Sequence, residues 1–363
     1  MLYGLYSDPR AWKTDFLPSS FWNPDKFGVH IDLHPDAFKI PEIGIDKKYS
    51  FFLTSEVWEK PMQRTLTYLK SKGIKIFLIA REPIKFNNAA GGMFSFEKFK
   101  YNGQYYFTPD AVFALCGKYA KLWEDKTKTY VTGYPRWDWC IDKSKWKSRE
   151  QINKLYGIRP GAEIIFFPSY PPYAYKKING KDELVDIFES QESILEAGTE
   201  FAKANPKYQF ISKIHPMSMK CYLKKTGPGR DVSGLLEKYY KTPTSFAKVI
   251  GDQRMSSDIM KDLLIHSSLV VGLWSTVMLD SVILGKPVVQ AIIGDNMEMF
   301  ENPFAGMFEV CRSKDELYNA LEQAGSGKYS ASQFAIDKTR EYIQGCDGGA
   351  CERICNAIKK EIT

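Results

Sequence analysis

The sequence predicts an α/β protein with two domains, each built around a parallel β-sheet flanked by helices. Short apolar segments alternate with segments of helical spacing along most of the chain. Nearly continuous apolar strands are expected where helices cover both faces of a parallel sheet. The length of 363 residues also exceeds what one hydrophobic core usually serves. We expect domains at residues 1–150 and 151–335, and C-terminal helices at 336–363 that pack back on the first domain.

Six strands and one clear helix are predicted in the first domain. The strands are Leu2–Tyr6, Gly28–Leu33, Tyr49–Thr54, Ile74–Ala80, Ala111–Leu115 and Thr129–Thr132, and the helix is Pro61–Lys72. Residues 86–108 are rich in Asn, Gly, Phe and Tyr and show no clear period. We interpret this segment as a long loop or hairpin near a working surface.

The second domain shows a more regular alternation. Strands are predicted at Ile164–Phe167, Tyr208–Ile214, Phe246–Ile250, Leu269–Gly272 and Pro287–Ile292. Helices are predicted at Glu183–Ala204, Val232–Tyr240, Asp258–His266, Thr276–Leu284 and Lys314–Gln323, the last capped by Ser313. The tail, 331–361, is interpreted as two helices broken at Gly345–Gly349. This order predicts a doubly wound, Rossmann-like domain with right-handed crossovers.

The basic excess is confined to the first 150 residues. They hold 24 Lys and Arg against 17 Asp and Glu, whereas the remainder holds 26 of each, so the first domain carries the whole net charge of +7. Such a surface suits an anionic membrane or a phosphate-bearing acceptor, or it is simply a solvated basic surface. No interleaved basic and aromatic motif indicates binding to nucleic acid.

Several absences bound the class of protein. No segment has the roughly 18 to 20 apolar residues of a membrane span, and the N-terminus does not resemble a signal peptide. We therefore expect a cytoplasmic protein, peripheral to the membrane at most. The seven cysteines are scattered, and the cluster Cys346, Cys351 and Cys355 has no His nearby as a fourth ligand. The chain also lacks an Asp-x-Asp motif, so we expect neither a metal nor another cofactor.

Polar residues follow the predicted strands of the second domain. Ligands of open α/β sheets bind at the carboxyl ends of the strands, and hydroxyls, an imidazole and a helix start suit a phosphate. The residues at these ends are Ser169, Tyr170, Lys213, His215, Pro216, Ser275 and Thr276. Singly they have plain structural explanations, since a His can end a strand and a Ser can cap a helix. Their shared position predicts a phosphate-binding site.

Five segments of the chain resemble two related families. The segments are Tyr130–Asp138, Ile165–Tyr170, Ser212–Pro216, Asp258–Leu264 and Val270–Thr276 continuing through Gly285-Lys286-Pro287. They resemble GT-B glycosyltransferases of bacterial capsule and lipopolysaccharide synthesis and the related CDP-glycerol glycerophosphotransferases. In those families the His-Pro and Ser-Thr pairs hold the donor's phosphates. The resemblance thus implies a GT-B fold, with two Rossmann-like domains facing across a cleft.

The resemblance implies an inverting, metal-independent glycosyltransferase. It would move a sugar from a CMP-, CDP- or UDP-linked donor to a surface glycan or lipid-linked acceptor. A CDP-glycerol or CDP-ribitol phosphotransferase is the first alternative, although those enzymes usually carry an acidic residue and a tyrosine where this chain has Gly272-Leu273-Trp274. A non-catalytic nucleotide-sugar-binding subunit is the second. UDP-sugar 2-epimerases share the Gly-x-Pro and Gly-Lys-Pro segments, but their Arg- and Glu-rich motifs are missing here.

The general base is sought among residues that follow strands of the first domain. Asp8, Glu56 and Glu82 are the candidates, and His34 is a fourth. Each carboxylate is equally well explained as a helix-start residue that favours the dipole. Gly133 and Arg136 follow the last strand of this domain, where Arg136 could reach a donor phosphate or pair with Asp138.

Overall fold

Fourteen strands of the computed structural model account for two parallel sheets and one hairpin within the described residues. The structure describes residues 1–6, 22–34, 37–55, 60–79, 107–121, 123–171, 173–178, 181–215, 247–250, 257–297, 302, 304–326, 333–343 and 345–363. These residues divide into two compact units. The first contains the described residues up to Lys143 together with Arg340–Thr363, and the second contains those between Ser144 and Thr339. The division falls between Lys143 and Ser144.

The first unit holds a six-stranded sheet with every strand pair parallel. Its strands are β1 Leu2–Tyr6, β2 Val29–Leu33, β3 Phe51–Thr54, β4 Lys75–Ile79, β5 Ala111–Ala114 and β6 Lys128–Val131, in the order β2-β1-β3-β4-β5-β6. The β3, β4 and β5 strands are almost wholly buried, which explains their continuous apolar sequences. The neighbouring β1 and β3 mark the point where the strand order reverses.

Within the described part of this unit, four α-helices lie before Lys143 and one lies near the C-terminus. They are α1 Ile40–Ile43, α2 Lys60–Ser71, α3 Gly117–Ala120, α4 Asp138–Ile141 and the last helix, Ala350–Ile362. The α2 helix packs its apolar face into a core under the sheet, formed with Leu5, Phe52, Ile76 and Val112. The burial of large apolar side chains in this cluster is the main stabilising contribution to the unit.

The second unit holds the second parallel sheet. Its strands are β7 Glu163–Pro168, β10 Tyr208–Lys213, β11 Ala247–Ile250, β12 Ser267–Gly272, β13 Val288–Ala291 and β14 Glu309–Cys311, in the order β11-β10-β7-β12-β13-β14. Renumbered within the unit, this is the 3-2-1-4-5-6 order of dinucleotide-binding Rossmann sheets. The Rossmann-like prediction is therefore confirmed, and the order reverses between β7 and β12.

Helices of the second unit follow the predicted alternation closely. They are α5 Arg149–Tyr156, α6 Phe188–Ala204, α7 Ser257–His266, α8 Val277–Ile283, α9 Lys314–Gly325 and α10 Gln333–Arg340, which makes Ala350–Ile362 α11. The Ser148 hydroxyl and the Gln151 side chain form a capping box on α5. The Ser313 hydroxyl accepts from the backbone N–H of Glu316 and caps α9, as predicted.

One predicted helix is wrong over its first turn and a hairpin was missed. Residues 183–186, assigned to a helix beginning at Glu183, belong to the strand β9 Lys181–Asp186, which pairs antiparallel with β8 Tyr173–Ile178. Helix α6 begins only at Phe188, where the Asp186 carboxylate accepts from the backbone N–H. Two residues, Asn179-Gly180, separate the strands in sequence, and Asn-Gly is a strong hairpin signal.

The short edge strand β14 was also missed. The predicted helix Val232–Tyr240 and most of the loop 86–108 lie outside the described residues.

Candidate functional site

The candidate site lies at the reversal point of the second sheet. Strand β7 ends at Pro168 and is followed by Ser169 and Tyr170, and the neighbouring β12 ends at Gly272 and is followed by Leu273 to Thr276. In doubly wound sheets the crevice outside the carboxyl ends of such a strand pair receives the ligand. The fold thus brings two of the predicted polar segments to the position where this class of sheet binds nucleotides.

Ser169 joins the ends of β7 and β10. Its backbone N–H donates to the carbonyl of Lys213 at 3.0 Å, and its hydroxyl oxygen accepts from the backbone N–H of His215 at 2.7 Å. The first bond continues the parallel ladder of the two strands by one residue. The second holds the backbone of His215, so the imidazole leaves the sheet from a defined position beside Ser169.

Tyr170 packs between the ends of β10 and β12. Its ring centre lies 6.5 Å from that of His215 and 6.1 Å from that of the buried Trp274, to which it stands edge-on. Its backbone N–H donates to the side-chain oxygen of Gln191 at 2.8 Å, and the Gln191 amide donates to the carbonyl of Pro171 at 3.2 Å. The side chain of Gln191, buried at the start of α6, therefore holds the loop after β7 through both of its polar atoms.

Ser275 and Thr276 precede helix α8 and are both half-buried. The Ser275 hydroxyl accepts a long hydrogen bond of 3.3 Å from the backbone N–H of Val277. The Thr276 side chain makes no capping bond, although its residue is the N-cap position. These hydroxyls are thus only lightly committed to the helix start, and each retains capacity to donate to an anion.

Lys213 lies inside the second unit. Only 3% of this residue is exposed, and its ammonium donates to the carbonyl of Ile214 at 3.4 Å. Burial of a lysine in a strand end is costly unless polar groups or an anion surround the charge. Pro216, the last residue of the predicted phosphate motif, lies outside the described residues.

An amide pair behind the site, the buried Gln290 and the half-buried Asn302, could not be seen in the sequence. The Gln290 amide in β13 donates to the carbonyl of Leu273 at 2.8 Å and to the side-chain oxygen of Asn302 at 3.0 Å, and the Asn302 amide donates back to Gln290 at 2.9 Å. This pair fixes the carbonyl of Leu273, two residues before Ser275. The available signal was a glutamine within the otherwise apolar strand β13, since buried polar side chains need partners.

The predicted site residues of the first unit are only partly described. Asp8, Glu56, Glu82 and the side chain of Arg136 lie outside the described residues. In sequence, Asp8 and Glu56 each follow by two residues the ends of β1 and β3, the strands at which the first sheet reverses its order. The backbone N–H of His34 donates to the carbonyl of Tyr6 at 2.8 Å and extends the pairing of β1 with β2.

The segment after β6 is held by the C-terminal helix of the same unit. Asp138 is buried, and its carboxylate accepts from the backbone N–H groups of Ala350 at 3.4 Å and Cys351 at 3.2 Å, at the start of α11. Burial raises the pKa of Asp138 to about 6, and the two backbone bonds oppose the rise. Gly133 adopts φ of +79°, and an added Cβ there would lie 2.7 Å from the carbonyl oxygen of Gly345. The Gly133–Asp138 motif therefore has a structural role in docking the last helix.

No group of three or more His, Cys, Asp or Glu side chains with metal-binding geometry occurs within the described part of the chain. Among those same residues no helix is long and apolar enough to cross a membrane.

Solved structures with the same fold are polymer-forming and nucleotide-sugar enzymes. The wall teichoic acid polymerase TagF is 13% identical, with a TM-score of 0.58 over 99% of this chain and 89% of that chain. The UDP-GlcNAc 2-epimerase of Neisseria meningitidis, solved with UDP-GlcNAc, is 12% identical, with a TM-score of 0.59 over 99% of both chains. A MnaA structure of S. aureus with UDP is 14% identical, with a TM-score of 0.54 over 99% of this chain and 96% of that chain. A search of curated proteins finds no match.

The two parallel sheets and these neighbours define the class: the protein has the GT-B fold. The family follows from the sequence. Residues 117–360 match the model of the CDP-glycerol:poly(glycerophosphate) glycerophosphotransferase family, and the chain belongs to that family. The resemblance read from the motifs is thereby confirmed. The protein is a transferase-family member related to enzymes of cell-surface polymer synthesis, and the match favours the phosphotransferase alternative over the sugar transferase that the sequence had put first.

Proposed function

We propose that this protein transfers a polyol phosphate, of the glycerol phosphate type, from a CDP-linked donor to the hydroxyl end of a phosphate-containing surface polymer. The observation that carries the proposal is the hydrogen-bonded pair of Ser169 and His215 beside the reversal point of the second sheet, in a chain whose residues 117–360 match a glycerophosphotransferase family. The fold directs the donor to this crevice, and the family gives the donor its class.

The proposed reaction is a displacement at the phosphorus that bears the polyol. The acceptor hydroxyl oxygen forms a new bond to this phosphorus, and the bond from the phosphorus to the bridging oxygen breaks. That oxygen leaves with CMP and carries the electron pair, while the acceptor proton passes to a base. Negative charge grows on the leaving group, so donors placed near it lower the barrier.

The side chains of the second unit supply such donors. We assign Ser169, His215, Ser275 and Thr276 to the two phosphates of the donor, with Tyr170 lining the site beside them. A protonated imidazole or a hydroxyl donating to a phosphate oxygen makes a charge-assisted bond, which is stronger than a neutral one. Lys213, buried at the end of β10, contributes positive potential through the strand end.

The base is assigned to the first unit. Asp8 and Glu56 are preferred to Glu82, because they follow β1 and β3, the strands at which the first sheet reverses its order. A carboxylate within hydrogen-bond reach of the acceptor hydroxyl would take its proton. Gly133 and Arg136 are kept as candidates for the same donor, with Arg136 contributing a phosphate contact.

The acceptor is proposed to be anionic and carried at the inner face of the membrane. The first 150 residues carry the whole net charge of +7, which would attract both a polyol phosphate chain and anionic lipid. This electrostatic contribution predicts that binding of the acceptor weakens as the salt concentration rises.

Donor screening tests the proposal. The purified chain is incubated with a glycerol phosphate oligomer and, in separate reactions, CDP-glycerol, CDP-ribitol, a CMP-sugar or a UDP-sugar, and the released nucleotide is measured. Release of CMP from a CDP-polyol together with elongation of the oligomer is the expected result. Turnover of a sugar donor alone would refute the proposal, and nucleotide binding without any turnover would identify a non-catalytic subunit.

The sugar transferase stays the second candidate because of one local feature. Phosphotransferases of the resembling type usually carry an acidic residue and a tyrosine before the serine pair, and this chain has Leu273 and Trp274. Trp274 is buried and stands edge-on to Tyr170, so the wall of the site is more apolar than an acidic residue would make it. The same donor screen separates the two candidates.

A further inference from the structure

An open cavity of about 640 Å³ lies at the amino edge of the second sheet. Its lining comes from residues that precede or begin β7, β12 and β13, including Arg149, His266, Ser268 and Lys286. These positions lie at the opposite ends of the strands from Ser169 and Ser275, since all strands of the sheet run in parallel. The cavity is thus separate from the candidate donor site.

Lys286 is a half-buried cation with no acidic partner. Among the described residues, the Lys286 ammonium takes part in no salt bridge and in no side-chain hydrogen bond. Burial, followed by the positive charge of Arg149, lowers the pKa of Lys286. A lysine that loses water and faces another cation is destabilised unless an anion joins them.

Arg149 contributes the second charge and leaves most of its donors unused. Its two terminal nitrogens donate to the carbonyls of His266 at 2.9 Å and Ala162 at 2.5 Å. A guanidinium carries five N–H groups, so three are left for another acceptor. The two carbonyl bonds fix the plane of the guanidinium at the cavity wall, and burial lowers its pKa without removing the charge.

The other charged groups around the cavity do not neutralise this pair. The Asp262 carboxylate is occupied by the Lys147 ammonium, at 2.8 and 3.0 Å, and by the hydroxyl of Tyr156 at 2.6 Å. Glu150 is exposed and accepts from the hydroxyl of Ser148, so solvent screens its attraction for Arg149. The C-terminal ends of α7 and α8 each bring about half a negative charge to this edge. Together they offset about one of the two cations.

Polar donors complete the wall. The half-buried Ser268 makes no side-chain hydrogen bond within the described residues, whereas the neighbouring Ser267 hydroxyl donates to the carbonyl of Leu264. The ring nitrogen Nε2 of His266 lies 2.8 Å from the carbonyl of Lys147 and must donate to it. The cavity thus presents an ammonium, the free side of a guanidinium and a free hydroxyl, with its volume in the range of small-ligand pockets.

We propose that this cavity binds the phosphate group of a small phosphate ester, held by Lys286, Arg149 and Ser268. A tetrahedral anion with several oxygens can accept from all three groups at once, and the planar guanidinium suits phosphate in particular. The site does not depend on the proposed function, because it uses none of the residues assigned to the donor. It offers the protein a second place for a phosphate ester, at the far end of the same strands.

Chemical footprinting of the full-length protein tests the site without any mutation. A lysine with a lowered pKa has a larger neutral fraction and reacts faster with an acylating ester. Acetylation of Lys286 is followed by peptide mass spectrometry with and without millimolar inorganic phosphate or glycerol phosphate, and the exposed Lys154 of α5 serves as the internal reference. Slower acetylation of Lys286, with Lys154 unchanged, is the expected result. Equal rates at Lys286 in all conditions would overturn the proposal.

A matched pair of variants gives the affinity. Lys286→Gln should weaken the binding of glycerol phosphate, measured by calorimetry, by roughly ten- to a hundredfold, the effect of losing one charge-assisted bond. Lys154→Gln and the donor-site variant Ser275→Ala should retain a binding event of unchanged affinity. If Ser275→Ala no longer binds glycerol phosphate while Lys286→Gln still does, all of the binding belongs to the donor site and the inference is refuted.

A third arm of the footprinting separates a lipid headgroup from a soluble ester. Phosphatidylglycerol vesicles replace the soluble phosphate, and acetylation of Lys286 and Lys154 is compared again. Protection of Lys286 by both probes supports the site and places its ligand in a lipid, whereas protection by the soluble esters alone supports it with a small metabolite. If vesicles protect both lysines and soluble phosphate protects neither, the protein merely adheres to the membrane surface, which contradicts the proposal.

Discussion

The hydroxyl oxygen of Ser169 accepts a 2.7 Å hydrogen bond from the backbone N–H of His215. The two residues are 46 positions apart in the chain, yet Ser169 directly follows β7 and His215 lies two residues after the end of the paired strand β10. The bond therefore holds the backbone of His215 against the hydroxyl of Ser169, at the ends of the paired strands β7 and β10. This relation makes the donor-site assignment testable one atom at a time.

Removal of the Ser169 hydroxyl should weaken donor binding more than it weakens the fold. Ser169→Ala leaves the half-buried N–H of His215 without its acceptor, at a cost of about 1 kcal/mol in the free energy of unfolding. The loosened imidazole should raise KM for the donor several-fold. Steady-state kinetics with CDP-glycerol and urea unfolding measure the two effects. Ser326→Ala, which removes an exposed hydroxyl bound only to the carbonyl of Gln323, is the control and should change neither.

Loss of the imidazole or of the helix-start hydroxyl should abolish turnover while the fold survives. We expect His215→Ala and Ser275→Ala each to lower kcat/KM by at least about a hundredfold, because each removes a donor to the phosphates. Far-UV circular dichroism and melting temperature should stay near those of the parent protein. His30→Ala, at a half-buried histidine of the first unit, provides the control. Unchanged kinetics in both site variants would refute the phosphate assignment.

A free-nucleotide screen tests the donor class without turnover. A ligand that binds the native state alone raises the melting temperature according to its affinity. CMP and CDP should stabilise the protein more than UDP or GDP, and His215→Ala should lose that stabilisation. If none of the four nucleotides shifts the melting temperature, the donor site has been misplaced.

Much of the fold was predictable because its strands are buried on both faces. Segments such as Ile164–Phe167 and Ala111–Leu115 are apolar throughout, and their short length favours a buried strand over a helix. The hairpin β8–β9 was not predicted, for the opposite reason. Its strands mix charged and apolar residues without strict alternation, and Glu183 to Asp186 also fit the helical spacing of the segment that follows. The Asn-Gly pair was the local signal that outweighs that spacing.

The candidate site was predictable where it depends on strand ends, and not where it depends on buried partners. The position of Ser169, His215 and Ser275 follows from strand order, which the alternation of elements reveals. The amide pair Gln290 and Asn302 and the carboxylate of Asp138 depend on contacts between segments far apart in sequence. No periodicity encodes such contacts. The sequence offered Arg136 as a partner for Asp138, whereas the structure gives its carboxylate the backbone N–H groups of Ala350 and Cys351.

The buried carboxylate of Asp138 should make stability depend on pH in an unusual direction. Its folded pKa of about 6 lies above the ordinary aspartate value of 3.8, so the folded state holds the proton more tightly. Its contribution is fully present below pH 3.8 and is lost as the pH rises through 6. A gap of about two pH units corresponds to about 3 kcal/mol. Urea unfolding from pH 4.5 to 7 should show this decline in the parent protein and a flatter profile in Asp138→Asn. The exposed Asp125→Asn is the control, and parallel profiles for Asp138→Asn and the parent would contradict the assignment.

Gly133 should tolerate no side chain, and a second glycine separates the two reasons. Both Gly133 and Gly73 adopt positive φ, of +79° and +77°, but an added Cβ meets nothing within 4 Å at Gly73 and lies 2.7 Å from the carbonyl oxygen of Gly345 at Gly133. Gly73→Ala should therefore lose only the backbone contribution, about 1 to 2 kcal/mol. Gly133→Ala should lose about 1 to 3 kcal/mol more, because the clash pushes Gly345 and the start of α11 away from the segment that follows β6. Urea unfolding of both variants measures the difference, and equal losses would show that the close approach of Gly133 to Gly345 contributes nothing to the docking of the last helix.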